Sequence, residues 1–177
     1  MNPRRAPPRA AQPQEEQHMR PTKNDIAEGT RSKVIESILT PRLADSADLM
    51  LQAKQAHWNV TGTNFIALHE LFDKIVDDAE EYLDLIAERV RQLGGNVEGT
   101  LRACAKRTAL DEYPLHITAS RDHVEALSNA LAKYGKAVRQ AIDDSDRASD
   151  FDTADIFTEI SRGVDKWLWF VESHLRE

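Results

Sequence analysis

Apolar residues recur along this chain at helical spacing in four long stretches separated by polar turns. In the first, Val34, Ile35, Ile38, Leu39, Leu43, Ala44, Ala47, Met50 and Leu51 mark one helix face. A cap at Thr30 or Ser32 starts this helix, which runs to about Val60, and Pro41 predicts a kink near Ser37. Thr61-Gly62-Thr63-Asn64 is a turn, with Asn64 as the cap of a second helix that ends at Gly94-Gly95. Its stripe is Phe65, Leu68, Phe72, Ile75, Val76, Ala79, Leu83, Ile86, Ala87 and Val90. Residues 96–118 form a long connection in which Thr100–Arg107 is short and helical, and Tyr113-Pro114 breaks it. The third helix spans about Ser120–Ile142 and the fourth about Thr153–Leu175.

Composition agrees with an all-α chain. It is 41% hydrophobic and 30% charged over 177 residues, with seven Gly and seven Pro, enough for one domain with a real core. No apolar run approaches the roughly 20 residues of a membrane span. Arginines near the start are not followed by an apolar stretch, which excludes a secretory signal. A single cysteine, Cys104, excludes an intrachain disulfide and suits a reducing compartment, where it serves as a small core residue. The expectation is a soluble cytoplasmic protein with no membrane partner.

Charge is divided unevenly. Residues 1–23 hold five of the prolines and few residues able to pack, so a disordered arm is expected there, ahead of a helical domain over 24–177. Arg4, Arg5, Arg9, Arg20 and Lys23 against Glu15 and Glu16 give the arm a net +3. The total is −7, so the body carries −10. Such an arm is either a phosphate contact for DNA or a solvated leader. The acidic body suits cations.

The second helix carries the candidate chemistry. His69 and Asp73 are four residues apart, as are Asp84 and Glu88, so each pair lies on one helix face and can share a metal ion. Asp73 and Asp84 are eleven residues apart, roughly 16 Å of helix, so within one chain the pairs cannot share an ion. They are symmetric about the midpoint between Asp78 and Ala79. An antiparallel copy across a two-fold would bring His69 level with Glu88, and Asp73 level with Asp84, giving two equivalent sites roughly 22 Å apart. The same acids also suit the wet face of an amphipathic helix. His116 and His123 have no partner at ligand spacing and read as structural.

Between the third and fourth helices, Asp143, Asp144, Asp146, Asp150, Asp152 and Asp155 form an acidic cluster. It is either a helix cap or a rim that attracts cations where subunits meet. Four helices joined by one long middle crossover make a ferritin-like bundle. The paired Glu-x-x-His motif of an intrachain di-iron site is missing, since that spacing occurs only at Glu15–His18.

The segment KQAHWNVTGTNFIALHELFD, with Asp84 and AERVRQLGG after it, closely resembles the Dps family, DNA-binding proteins from starved cells. The likeness continues through YPLHI and DDSDRASDFDTADIFTEISRGVDKWLWFVESHL, over nearly all of the chain after residue 30. The resemblance implies a hollow dodecamer built through two-fold and three-fold contacts. It implies a ferroxidase that oxidises Fe(II) with hydrogen peroxide and stores ferric mineral, limiting oxidative stress. Its interface iron site corresponds to His57, His69 and Asp73 of one chain, with Asp84 and Glu88 of another. Asp73 and Glu88 would be the firm anionic ligands, and the two histidines would hold the more labile iron. Trp58 is then either a radical quencher or a packed interface aromatic. The aspartate cluster matches the family's three-fold pores for iron uptake. The competing reading is a nucleoid protein that compacts DNA through its basic arm, and a third is an inert helical assembly.

Overall fold

A computed structural model describes residues 19–175. The chain folds as α1 (Glu28–Val34), α2 (Thr40–Asn59), α3 (Phe65–Gln92), α4 (Leu101–Arg107), α5 (Ser120–Arg147) and α6 (Phe151–Glu172). α1 and α2 are one long helix joined through a π-turn at Ile35–Leu39, in which the Thr40 amide bonds back to the Ile35 carbonyl. Pro41 has no N–H to continue the α register, and the π-turn absorbs the missing bond where the kink was expected. α2 pairs with α3 and α5 with α6, and the crossover containing α4 joins the two hairpins. Among the described residues, no helix is long and apolar enough to cross a membrane.

Some helix ends differ from expectation. α1 starts at Glu28, ahead of Thr30 and Ser32, because the Asn24 side chain accepts from the Ile26 amide and turns the chain earlier. Asn64 makes no side-chain cap; the Phe65 amide bonds to Gly62 instead. α5 continues to Arg147, five residues beyond Ile142. Buried Ser145 there returns its hydroxyl hydrogen to Ala141, and Arg147 pairs with Asp144 at 3.0 Å. Ser149, at φ 58°, then reverses the chain into α6.

Leu68, Phe72, Ile75, Ala79, Ile86 and Val90 bury one face of α3 in the core. The predicted stripe members Leu51 and Phe65 instead lie exposed on this chain. Several polar groups inside the bundle are paired. The Tyr134 hydroxyl lies 2.6 Å from the Ser46 hydroxyl, and Asp45 accepts from the Ala109 amide at 2.7 Å, tying the crossover to α2. Tyr113 bonds His123 at 2.7 Å, so His123 is structural as expected, and burial lowers its basicity. Cys104 is buried, which pushes its thiol pKa up.

The C-terminal carbonyls of α3 are closed by basic side chains. Buried Arg31 donates to Leu93, and Arg20 donates to Arg91 while its amide bonds the Gly94 carbonyl at 2.7 Å. Gly94 has φ 95°, and a β-carbon there would lie 2.7 Å from the Arg20 carbonyl, so glycine is required on both counts. Met19 packs against the core. Within the expected arm of residues 1–23, Met19 and Arg20 lie against the body, and Arg20 serves the end of α3.

Candidate metal centre

The α2–α3 hairpin places His57, in the last turn of α2, directly on His69, in the second turn of α3. The rings stack with centroids 3.7 Å apart and planes 22° apart. The His57 Nδ1 lies 2.8 Å from the His69 carbonyl, and the His69 Nδ1 lies 2.9 Å from the His57 carbonyl. A carbonyl can only accept, so each Nδ1 carries the hydrogen and donates it. The neutral imidazole then presents its lone pair at Nε2. This reciprocal lock fixes tautomer and orientation together, as the outer partners of metal-binding histidines commonly do.

Asp73 stands one turn beyond His69, its Oδ1 3.6 Å from the His57 Nδ1. Lys54 forms an ion pair with the same oxygen. That hydrogen bond holds the Asp73 carboxyl below its usual value of 3.8, against a smaller opposing effect of burial. His57 therefore lies against His69 and near Asp73. Lys54 was not singled out from sequence, although its position three residues before His57 puts it on the same face of α2. Trp58 is 64% exposed beside this group.

Asp84 and Glu88 are exposed further along α3, beside a surface trough with Ala87, Arg91 and Val97. Among the described residues of one chain, no group of three or more His, Cys, Asp or Glu is placed to hold a metal.

The aspartate cluster separates into two kinds. Asp143, Asp146, Asp152 and Asp155 are exposed, and Asp144 is half-buried and paired with Arg147. Asp150 is 1% exposed. It caps α6 by accepting from the Thr153 amide, and it pairs with buried Arg89 at 2.5 Å. Of the two readings, cap and pore rim, Asp150 takes the cap, because its carboxylate is enclosed by the Thr153 amide and the arginine. Of the basic positions considered for DNA, Arg4, Arg5 and Arg9 lie outside the described residues. Lys23 is exposed, and Arg20 is engaged as described above.

A family model described as a ferritin-like domain matches residues 36–177. A DNA protection during starvation protein of Agrobacterium fabrum (strain C58 / ATCC 33970) is 48% identical over 156 residues, spanning 88% of this chain and 96% of the relative. The chain belongs to the Dps family. Among solved structures, the Dps from Microbacterium arborescens in its high iron form superposes with a TM-score of 0.78 at 34% identity, over 88% of this chain and 99% of that one. DpsC from Streptomyces coelicolor reaches a TM-score of 0.86 at 27% identity, over 94% and 97% of the two chains. The Dps family assignment and the ferritin-like fold thus agree with the helical bundle, including its long middle crossover.

Proposed function

We propose that this Dps-family protein is a ferroxidase that takes Fe(II) as substrate, oxidises it with hydrogen peroxide and retains the ferric product as mineral inside a dodecameric shell. The observation that carries the reading is the reciprocal lock of His57 and His69, which leaves the Nε2 lone pair of each imidazole uncommitted, with the Asp73 carboxylate 3.6 Å from the His57 Nδ1. Imidazole and carboxylate together suit iron. Asp84 and Glu88 of a second copy, antiparallel across a two-fold, complete the ligand set in this reading. Their exposure on a single chain and their symmetric placement with Asp73 and His69 support it.

Peroxide accepts two electrons on its way to water. Two ferrous ions held together supply both, so that a one-electron reduction releasing hydroxyl radical is avoided. The Asp73 carboxyl, kept ionised by Lys54, is ready to exchange the ammonium for a metal cation. The locked histidines contribute ligands whose orientation is already set. The exposed aspartates at the α5–α6 corner would draw cations toward a shared three-fold pore.

Anaerobic ferrous titration followed by peroxide tests this reading. Saturable binding of one or two irons per subunit and rapid oxidation are expected, both lost in the Asp73→Ala/Glu88→Ala variant. Unchanged oxidation in that variant would refute the site. Arg4, Arg5 and Arg9, with exposed Lys23, favour a second role in holding DNA, in the cytoplasm or on the nucleoid. Removal of residues 1–18 is expected to abolish a steeply salt-dependent DNA affinity while iron oxidation persists. Salt-insensitive DNA binding by the truncated protein would refute the arm's role.

A further inference from the structure

Away from the ligand stripe, on the flank of α3 that meets α6, one carboxylate oxygen gathers three side chains. The Asp78 Oδ2 accepts from the Trp167 indole N–H at 2.6 Å, lies 3.5 Å from the Tyr82 hydroxyl and lies 3.4 Å from the Lys166 ammonium. The same ammonium stands 4.0 Å from the centre of the Trp167 ring. Trp167 and Tyr82 are both buried. Gly163, one turn before Trp167, is the gap that admits the Tyr82 hydroxyl, where any β-carbon would collide with it. A buried indole needs one acceptor for its N–H. Here that acceptor is shared with a second oxidisable side chain and a cation. From Trp167 an aromatic file leads outward: Phe170 meets it edge-on at 5.6 Å, and Trp169 meets Phe170 at 4.8 Å and is 66% exposed. Asp78 lies five residues from Asp73 and six from Asp84, about 8–9 Å along the helix axis from the nearer member of each ligand pair.

We propose that Trp167, Asp78 and Tyr82 form a proton-coupled trap for one-electron oxidising equivalents that escape the iron centre. The trap builds on the ferroxidase reading for its source of oxidant, a hydroxyl radical formed when peroxide takes a single electron from one ferrous ion. An electron from the Trp167 indole reduces that radical to hydroxide. The indole N–H proton crosses the 2.6 Å hydrogen bond to Asp78, leaving a neutral tryptophanyl radical and a neutral carboxyl group. The ammonium of Lys166 over the ring opposes an indole radical cation, so electron and proton leave together. Tyr82 next gives an electron to Trp167. Asp78 returns its proton to the indole and takes the phenolic proton, so the vacancy comes to rest on the Tyr82 oxygen. A ferrous ion reduces that phenoxyl, and Asp78 hands its proton back. The net change is one hydroxyl radical and one ferrous ion converted to hydroxide and ferric ion, with the protein restored.

Pulse radiolysis of the iron-free, full-length protein with azide radicals tests the trap directly. The chain has three Trp and three Tyr, so each variant can be assigned. Tryptophanyl absorption is expected to decay into tyrosyl absorption at a rate independent of protein concentration. Tyr82→Phe, which preserves the buried ring, is expected to abolish the transfer, whereas Tyr113→Phe and Tyr134→Phe leave it intact. Asp78→Asn is expected to slow it at least about ten-fold, the scale of a charge-assisted hydrogen bond removed from the proton's path. Native-like transfer in Tyr82→Phe, or an unchanged rate in Asp78→Asn, would overturn the proposal. The transfer is also expected to survive in a His57→Ala/His69→Ala/Asp73→Ala chain. Failure of the iron reading and failure of the trap therefore read out separately.

Discussion

At the N-terminal end of α3, other parts of the same chain hold the candidate ligands. His69 is locked to His57, and Asp73 is paired with Lys54. At the far end, Asp84 and Glu88 are exposed and, among the described residues, have no hydrogen-bond or ion-pair partner. Both ends present their ligands at the same helical spacing, so spacing is not what separates them. The difference is the neighbour: α2 lies against the first end and brings a second imidazole and a cation, while the second end borders an open trough. In the proposed site, one half is preorganised within the chain, and the other is two carboxylates whose complement would come from a second chain.

Deleting each end of α3 in turn has the largest expected effect. With His57, His69 and Asp73 all changed to alanine, ferrous binding is expected to vanish, because two exposed carboxylates on one helix hold iron weakly. With Asp84 and Glu88 changed, one weakly held ion is expected to remain at the locked histidines, with oxidation lost. Supporting residues around metal sites are typically worth 10–100-fold in affinity, and loss of direct ligands should exceed that. Calorimetric ferrous titration distinguishes the two outcomes. Equal residual binding in both variants would remove the distinction between the ends.

A smaller but still large effect is expected at Arg89, the neighbour of Glu88. Its side chain is 5% exposed and neutralises an Asp150 carboxylate that is 1% exposed. Arg89→Ala strands that carboxylate in the core, at a cost of about 3–5 kcal/mol in denaturant unfolding. It should also loosen the C-terminal end of α3 while leaving the His57–His69 lock in place. A loss below about 1 kcal/mol would mean that water reaches Asp150 and that the pair is not structural.

The mildest expected change is at Lys54. Its ion pair with Asp73, whose side chain is 45% exposed, is worth at most about 1 kcal/mol after screening. The sign follows from the depressed carboxyl. A folded-state value below 3.8 contributes stability above that pH, and the contribution is lost as pH falls through the lowered value. Lys54→Met is expected to return the Asp73 titration toward 3.8, observable by carboxyl-resolved NMR, and to reduce this acid-dependent part of stability.

Much of the bundle was legible because helical periodicity reports burial directly: the α3 stripe from Leu68 to Val90 is the face that packs. The two ligand pairs on α3 were legible for the same reason, since residues four apart necessarily share a face. His57 was suggested by lying twelve residues before His69 across a short turn, but joined the ligand set only through the family resemblance, because its contact with His69 depends on how tightly that turn closes. Lys54 was passed over because its partner, Asp73, lies across the hairpin, and no spacing rule within one helix reveals it. Asp150 stayed open between cap and pore for another reason. A pore aspartate and a capping aspartate look alike in composition, and only Arg89 arriving from α3 separates them. The pairing of Asp78 with Trp167 joins residues 89 positions apart and was beyond any local pattern.

The central claim is that each iron site takes one half from each of two chains. It is tested most directly by mixing two inactive variants, one lacking His57, His69 and Asp73 and the other lacking Asp84 and Glu88, then dissociating and reassembling them together. A mixed two-fold pair contains one intact site and one doubly defective site. Random pairing is therefore expected to restore about one quarter of the native peroxide-driven iron oxidation. A reassembled mixture as inactive as its two parents would contradict a shared site.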